Sequence, residues 1–200
     1  GAPVPFIRLA HLVHVLLCVG IACLTLNLTG LWEGPTFGFF TLVAIAVLLF
    51  VVTVGFAVVR SKTPGETVAG MRLALFSLLL AVLLGLIMAR GFFNDAFPGM
   101  RNFWVQVHLT TALLGWVGGL ITAVSWQVVP MFYLTAELPS FRKKTVLILT
   151  TLGVVLPLIV LLASLAVPGG TSGWHPIHVA AFGALPAVLG VWLLHPGLIL

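Results

Sequence analysis

Histidines are the residues of this chain whose type and spacing indicate chemistry. The sequence has six, of which four form two His-x-x-His pairs and two stand alone. They are His11 with His14, His175 with His178, His108 and His195. Imidazole is a good ligand for heme iron, copper and zinc, and residues three apart lie on the same side of a helix. The spacing therefore predicts a bound heme or metal ion, with no cofactor at all as the alternative.

The acidic residues argue against other kinds of site. All four acids fall in turn-rich stretches or at helix ends: Glu33, Glu66, Asp95 and Glu137. Many ion-coupled transporters keep a carboxylate within the membrane, so this pattern disfavours proton or sodium coupling. The sequence also has no HExxH and no CxxC motif, which zinc sites commonly use. Heme fits these residues best, and copper is the alternative.

The composition indicates that the chain lies in a lipid bilayer. Hydrophobic residues make up 61% of its 200 residues, charged residues only 6%, and the mean hydropathy is +1.25. Soluble domains carry about 25% charged residues. The net charge of +5 comes from nine Lys and Arg against four acids. We interpret this small excess as a signal of membrane topology and predict no nucleic-acid partner.

The apolar segments predict the architecture. A membrane span needs about 20 apolar residues, and six segments of the sequence meet that requirement. They are 7–31, 37–59, 71–92, 104–128, 145–168 and 174–196. We predict an all-α fold, a polytopic membrane helix bundle of about six transmembrane helices forming one domain over residues 1–200. The chain begins without a methionine and stops in an apolar stretch, so we expect it to be a fragment of a longer protein.

Positive charges predict the side of the membrane on which each loop lies, because loops rich in Lys and Arg stay in the cytoplasm. With the N-terminus inside, seven positive residues lie on the inner side, and two, Arg90 and Arg101, lie outside. The inner seven are Arg8, Arg60, Lys62, Arg72, Arg142, Lys143 and Lys144. Trp32, Trp104 and Trp174 fall at the predicted outer interface, where indoles sit among headgroups. We therefore expect a cytoplasmic N-terminus.

Depth in the membrane divides the histidines into two groups. The outer group is His108, His175 and His178, and the inner group is His11, His14 and His195. At about 1.5 Å of rise per residue, the outer three fall within about one turn of the same depth, so they could converge. A histidine at a helix end can also sit in the interface without a ligand role. His195 fits that description best because it precedes Pro196-Gly197, and the other five are the predicted cofactor ligands.

Small and polar residues form stripes along two predicted spans. In span 104–128 the members are His108, Thr111, Gly115, Gly118, Thr122 and Ser125. In span 7–31 they are His11, His14, Cys18, Ala22, Thr25 and Thr29. We expect both faces to point into the bundle, and spans 37–59 and 71–92, which are mostly Leu, Val, Phe and Ala, to be lipid-facing support. Gly115, Gly118 and Gly119 have two interpretations, close helix packing through a GxxxG pair or room for a heme macrocycle.

The stretch from His108 to Phe132 carries the pattern H-x6-G-W-x-G followed by a terminal proline, Pro130. In this it resembles helices of the heme-copper oxidase subunit I superfamily and related bacterial multi-pass membrane proteins. The resemblance covers about 25 of the 200 residues. It implies an axial heme ligand at His108, closely packed glycines, and a place in the bacterial cytoplasmic (inner) membrane. The family's catalytic subunits have more helices and a His-x-His pair, which this chain lacks. The resemblance thus implies a heme-binding relative without a binuclear centre, or one half of a longer subunit.

Three functions fit the sequence. The first is a membrane protein with a histidine-ligated heme or metal, linked to respiratory electron transfer or to redox or nitric oxide stress. For it, an accessory redox role is favoured over independent oxidoreductase activity, and no catalytic residue is assigned. The second is a cofactor-free structural or accessory subunit packed against another membrane subunit. The third is a permease for a small solute. The lipid bilayer is a partner in all three.

Overall fold

The computed structural model describes residues 7–61, 65–94, 101–134 and 136–166. Over these residues the chain is helical, and five helices are long and apolar enough to cross a membrane. They are α1 (Ile7–Leu28), α2 (Thr36–Arg60), α3 (Glu66–Asn94), α4 (Arg101–Tyr133) and α5 (Ser140–Ala166). The prediction of an all-α chain with helices of membrane length is confirmed over this part of the sequence. The sixth predicted span, 174–196, lies outside the described residues.

Backbone geometry marks where several helices begin and end. After α1, Gly30 adopts φ +73°, a left-handed conformation that costs glycine little. α2 begins directly after Pro35, whose fixed φ suits a helix start. α4 ends where Leu134 takes φ 52°, a conformation that is unfavourable for a residue with a Cβ and rarely continues as a helix. These residues stop one apolar segment before the next begins.

The described helices group into two compact units, and α3 contributes to both. The first unit contains α1, α2 and the second half of α3, from Val82. In it α1 packs on α2, and a Cβ added to Gly20 would lie 2.8 Å from Cγ2 of Val43. The ring of Phe93 meets that of Phe37 edge-on, with centroids 6.1 Å apart. Close apolar contacts therefore hold this unit together.

Asn27 organises the turn between α1 and α2. Its Nδ2 donates to the backbone carbonyls of Trp32 and Gly34 at 3.1 and 3.3 Å. Its Oδ1 accepts a hydrogen bond from Oγ1 of Thr36, the first residue of α2. One half-buried amide thus links the end of α1, the turn and the start of α2.

Replacing Asn27 with alanine is expected to loosen this turn. A hydrogen bond contributes about 1 kcal/mol net, so the loss of three should lower the free energy of unfolding by about 1–3 kcal/mol. Denaturant-induced unfolding of the purified protein measures the change. Thr41→Ala is the control, because Oγ1 of Thr41 bonds only to the Phe37 carbonyl of its own helix, at 2.8 Å. Equal effects from the two substitutions would show that the turn does not depend on Asn27.

The second unit contains α3 up to Ala81, together with α4 and α5. α3 and α4 approach closely, since a Cβ added to Gly70 would lie 2.6 Å from Cβ of Ala123. A buried cluster lies beside this contact. It consists of Ala123, Trp126, Leu138 and Val146, with Met71 and Leu147 packed against it. The cluster therefore joins all three helices of the unit through apolar side chains.

The first half of α3 is packed inside the second unit. Ala74 and Ser77 are fully buried, and Ala81 is 4% exposed. The prediction that this span is lipid-facing support is therefore wrong for this half of the helix. Small side chains explain the difference, because they let two helix backbones approach closely. A composition of Leu and Ala does not reveal whether a helix faces lipid or protein.

Polar contacts fix the start of α5. Oγ of Ser140, the first residue of α5, donates to Glu66, the first residue of α3. Lys143 is buried, and its Nζ lies 3.9 Å from Oε2 of Glu137. Both acids, Glu66 and Glu137, lie at or near helix ends and outside the apolar centres, as predicted from the sequence. They hold helix ends in position.

Candidate functional site

His108 is half-buried in α4, and its imidazole interacts with the backbone of Ala81 on α3. Its Nδ1 is buried and has no hydrogen-bond partner among the described residues. A neutral imidazole carries one N–H and one lone pair. When one ring nitrogen donates to a backbone carbonyl, the other can therefore coordinate a metal or accept a proton. Ligand histidines are usually oriented by such a second contact.

A π-helical segment follows His108 within α4. It runs over Thr110–Gly118, and the backbone N–H of Gly119 donates to the carbonyl of Leu114, five residues earlier. Within it, Oγ1 of Thr111 donates to the carbonyl of Val107 at 2.8 Å. π-helical turns are rare and are frequent at functional sites. Apolar periodicity carries no signal for a π-helix, so the sequence does not predict this segment.

Gly115 lies at the closest contact of the stripe on α4. A Cβ added there would lie 2.5 Å from Oγ of Ser77, 2.7 Å from its Cβ, and 2.7 Å from Cγ2 of Val154. The space beside Gly115 is therefore filled by side chains of α3 and α5. The expectation that this glycine makes room for a heme macrocycle is wrong, since no such room exists at this position.

The neighbouring glycines differ from Gly115. A Cβ on Gly119 would make ordinary contacts, 3.9 Å from both Ala74 and Thr150. A Cβ on Gly118 would face only the carbonyl of Leu113 on its own helix, at 3.2 Å. Gly115 and Gly119 therefore both pack against α3 and α5, as the GxxxG interpretation expects, whereas Gly118 faces its own helix. Thr111 and Thr122 of the same stripe are buried, as expected.

The stripe on α1 has a different environment. All six members are exposed: His11, His14, Cys18, Ala22, Thr25 and Thr29. The residues of α1 that are buried are Val13 and Gly20. No other part of the described chain covers this polar face, and the expectation that it points into a bundle that includes the span 174–196 stays a prediction. Nε2 of His14 and Sγ of Cys18 lie 3.7 Å apart on this exposed face.

The other three histidines, of which His175 and His178 are predicted ligands, lie in the C-terminal part of the chain. His175, His178 and His195 lie outside the described residues. The structure therefore does not bear on the predicted convergence of the outer or the inner histidine group. His108 belongs to the second unit, and His11 and His14 belong to the first.

Other features of the described residues bear on how a metal ion or cofactor could be held. No group of three or more His, Cys, Asp or Glu comes together within the described part of the chain. An open cavity of about 620 Å³ in the first unit is lined by Arg90 and residues of the α2 and α3 ends, without a histidine. Oε1 of Gln106 is also buried without a partner in the described structure. Gln106 and His108 are two positions apart in a helix, so their side chains lie on different sides.

The described geometry thus offers one half-buried imidazole with a buried, unpartnered nitrogen, beside a π-helical turn in a helix of membrane length. Trp104, expected at an exposed interface, is 4% exposed and packs within the same unit. Neither a protein-family model, nor a curated protein, nor a solved structure matches this chain.

Proposed function

We propose that this chain is an integral membrane protein that binds heme through His108. The observation that carries the proposal is the buried Nδ1 of His108, which lacks a hydrogen-bond partner among the described residues. Leaving such an atom unsatisfied costs about 1–3 kcal/mol, and functional sites are where that cost is commonly found. A ligand that accepts the nitrogen lone pair removes the cost.

Heme fits this site better than a bare metal ion. The porphyrin occupies the equatorial positions of the iron, so a single imidazole suffices as a protein ligand on one side. A copper ion needs several protein ligands, and no group of three comes together in the described residues. The contact between His108 and the backbone of Ala81 would orient the imidazole and increase its basicity. Copper therefore stays the weaker alternative.

The position of the macrocycle is restricted by packing. The space beside Gly115 is filled by Ser77 and Val154, so the ring does not occupy that part of the stripe. His175 and His178, at the same predicted depth as His108, would be the candidates for a second protein ligand. When bound, the heme supplies one-electron redox chemistry, while the protein supplies the ligand and a site of low dielectric constant.

We further propose a role in respiratory electron transfer or in redox or nitric oxide stress, as an accessory rather than an independent oxidoreductase. The support is the resemblance of the segment His108–Phe132 together with the lack of a His-x-His pair in the sequence. We place the protein in the bacterial cytoplasmic membrane with a cytoplasmic N-terminus, on the distribution of seven positive residues against two. Another membrane subunit would be its electron partner.

An absorption spectrum of the full chain, purified in detergent after expression with sufficient heme, tests the proposal. We expect a Soret band, with iron present in the amount of the heme. Bound copper in elemental analysis, without a Soret band, would show that the cofactor is copper and not heme. The absence of both a Soret band and bound metal would overturn the proposal.

The second candidate function is a cofactor-free accessory subunit. The observation that favours it is the exposed polar face of α1, since polar side chains in a membrane helix generally face protein or water rather than lipid. A colourless, metal-free preparation that elutes only with a second membrane protein would favour this function.

A further inference from the structure

The exposed face of α1 carries a pair of metal-ligating atoms that the proposed heme site does not use. Nε2 of His14 and Sγ of Cys18 lie 3.7 Å apart, one helical turn from each other, and both side chains are exposed. Imidazole and thiolate are the ligands that Zn²⁺ and similar d¹⁰ ions prefer. Cys23 is the other free thiol, and no histidine of the described residues contacts its sulfur.

We propose that His14 and Cys18 form one half of a tetrahedral site for a thiophilic divalent ion such as Zn²⁺, completed by the same pair of a second copy of the chain. Zinc binds nitrogen at about 2.0 Å and sulfur at about 2.3 Å, and a tetrahedral angle then places the two atoms roughly 3.5–3.6 Å apart. The observed distance of 3.7 Å is close to this value. The pair can therefore close on one ion with little side-chain movement.

The pair supplies two ligands, so a four-coordinate ion needs two more from elsewhere. No third His, Cys, Asp or Glu joins the pair within the described residues. His11 lies on the same face, but its spacing of seven from Cys18 separates the two by about 10 Å along the helix axis. Structural zinc sites are almost always four-coordinate. Two copies related by a two-fold axis contribute the same residue pair twice and supply four ligands.

The net charge of the site also favours two copies of the chain around one ion. A divalent ion bound by one thiolate and one neutral imidazole keeps a net positive charge, which is costly inside an apolar span. Two thiolates and two imidazoles make the site neutral. The face also carries Ala22 and Thr25, both exposed, on the turns after Cys18. Small residues such as these let two membrane helices approach closely.

Binding is a proton exchange without any redox step. Each Cys18 thiol releases its proton to solvent as its sulfur forms a bond to the ion, so one ion displaces two protons. The apparent affinity should therefore rise by about 100-fold per pH unit while both thiols are protonated in the free protein. No oxidant or reductant takes part.

Cobalt is the probe, because Co²⁺ replaces Zn²⁺ in tetrahedral sites and is coloured. The full chain is reduced, stripped with a chelator, placed in lipid nanodiscs large enough for two copies, and titrated with Co²⁺ and then Zn²⁺. We expect a thiolate-to-cobalt charge-transfer band and intense visible bands, one ion per two chains, and displacement of cobalt by zinc. The absence of a charge-transfer band, or one ion bound to a single chain, would overturn the proposal.

Matched variants locate the site. Cys18→Ser and His14→Ala should each lower the affinity at least about 100-fold and abolish the two-chain assembly. Cys23→Ser should keep both, because Cys23 lies elsewhere on the same helix. A band that survives Cys18→Ser, or disappears in Cys23→Ser, would contradict the assignment.

A second measurement uses the wild-type protein, so it tests the site even if a variant fails to fold. Zinc should protect Cys18 of the wild-type protein from alkylation and leave Cys23 as reactive as before. Equal labelling of Cys18 with and without zinc would overturn the site. His108→Ala should lose heme and keep cobalt binding, so failure of the heme proposal and failure of this one are distinguishable.

Discussion

Gly115→Ala should lower the free energy of unfolding by about 1–3 kcal/mol, the usual cost of inserting a methyl group into a filled core. The new Cβ would lie 2.5 Å from Oγ of Ser77 and 2.7 Å from Cγ2 of Val154, distances that force α3 or α5 to move. Alanine favours a helix over glycine by about 1 kcal/mol, so the clash must exceed that gain for the protein to lose stability. Gly115→Leu should be more severe and prevent assembly of the second unit. Unfolding in mixed detergent micelles, followed by circular dichroism, measures the change.

Gly55→Ala is the matched control for this prediction. Gly55 lies within α2, and a Cβ added there meets nothing within 4 Å. Alanine at that position should leave stability unchanged or increase it by up to about 1 kcal/mol. In a double-mutant cycle, Ser77→Gly should reduce the cost of Gly115→Ala, because it removes two of the three close atoms. Additive effects would show that the contact between these two residues does not limit packing.

His108→Ala is expected to remove at least about nine-tenths of the bound heme, since loss of an axial ligand exceeds the 10–100-fold effect of losing a supporting contact. The substitution removes a half-buried ring with an unpartnered nitrogen, so the protein should still fold. Soret absorbance per chain measures the loss. Added imidazole should restore part of the absorbance by entering the space left by the ring, a result that a purely structural role for His108 would not produce.

Substitutions of two other histidines are the controls for this prediction. His195→Ala should retain heme, because His195 is predicted to sit at a helix end beside Pro196-Gly197. His11→Ala should also retain most of it, because His11 is exposed on α1. Equal heme loss from His108→Ala and His195→Ala, or no loss from either, would show that His108 is not the principal ligand.

The sequence predicts the helices well and their surroundings less well. Span length and hydropathy found all five described helices, because a bilayer sets a minimum apolar length. Several ends lie further out than predicted, for example Glu66 instead of 71 in α3, since a helix continues into polar residues beyond the apolar core, whereas α1 ends earlier, at Leu28 instead of 31. Periodicity shows which residues share a face, and it does not show what covers that face. For this reason the stripe of Thr111 and Gly115 is buried whereas the similar stripe of His14 and Cys18 is exposed.

The features of the candidate site depend on tertiary structure. Nothing in the residue pattern around His108 indicates that the backbone of Ala81 meets its ring, because that contact requires two helices to be adjacent. The π-helix over Thr110–Gly118 likewise has no counterpart in the apolar periodicity of the sequence. Gly115 is a third example. A GxxxG pair predicts that another helix approaches closely, but only the fold shows that the neighbour is Ser77.

The amide of Asn27 has a consequence for how the protein enters a membrane. Backbone carbonyls that lack a partner must remain in contact with water, because leaving them unpaired in hydrocarbon costs several kcal/mol each. The carbonyls of Trp32 and Gly34 are already bonded to Asn27 within the turn. The turn between α1 and α2 therefore carries two fewer carbonyls that require water, which lowers the cost of bringing the turn close to the apolar part of a bilayer.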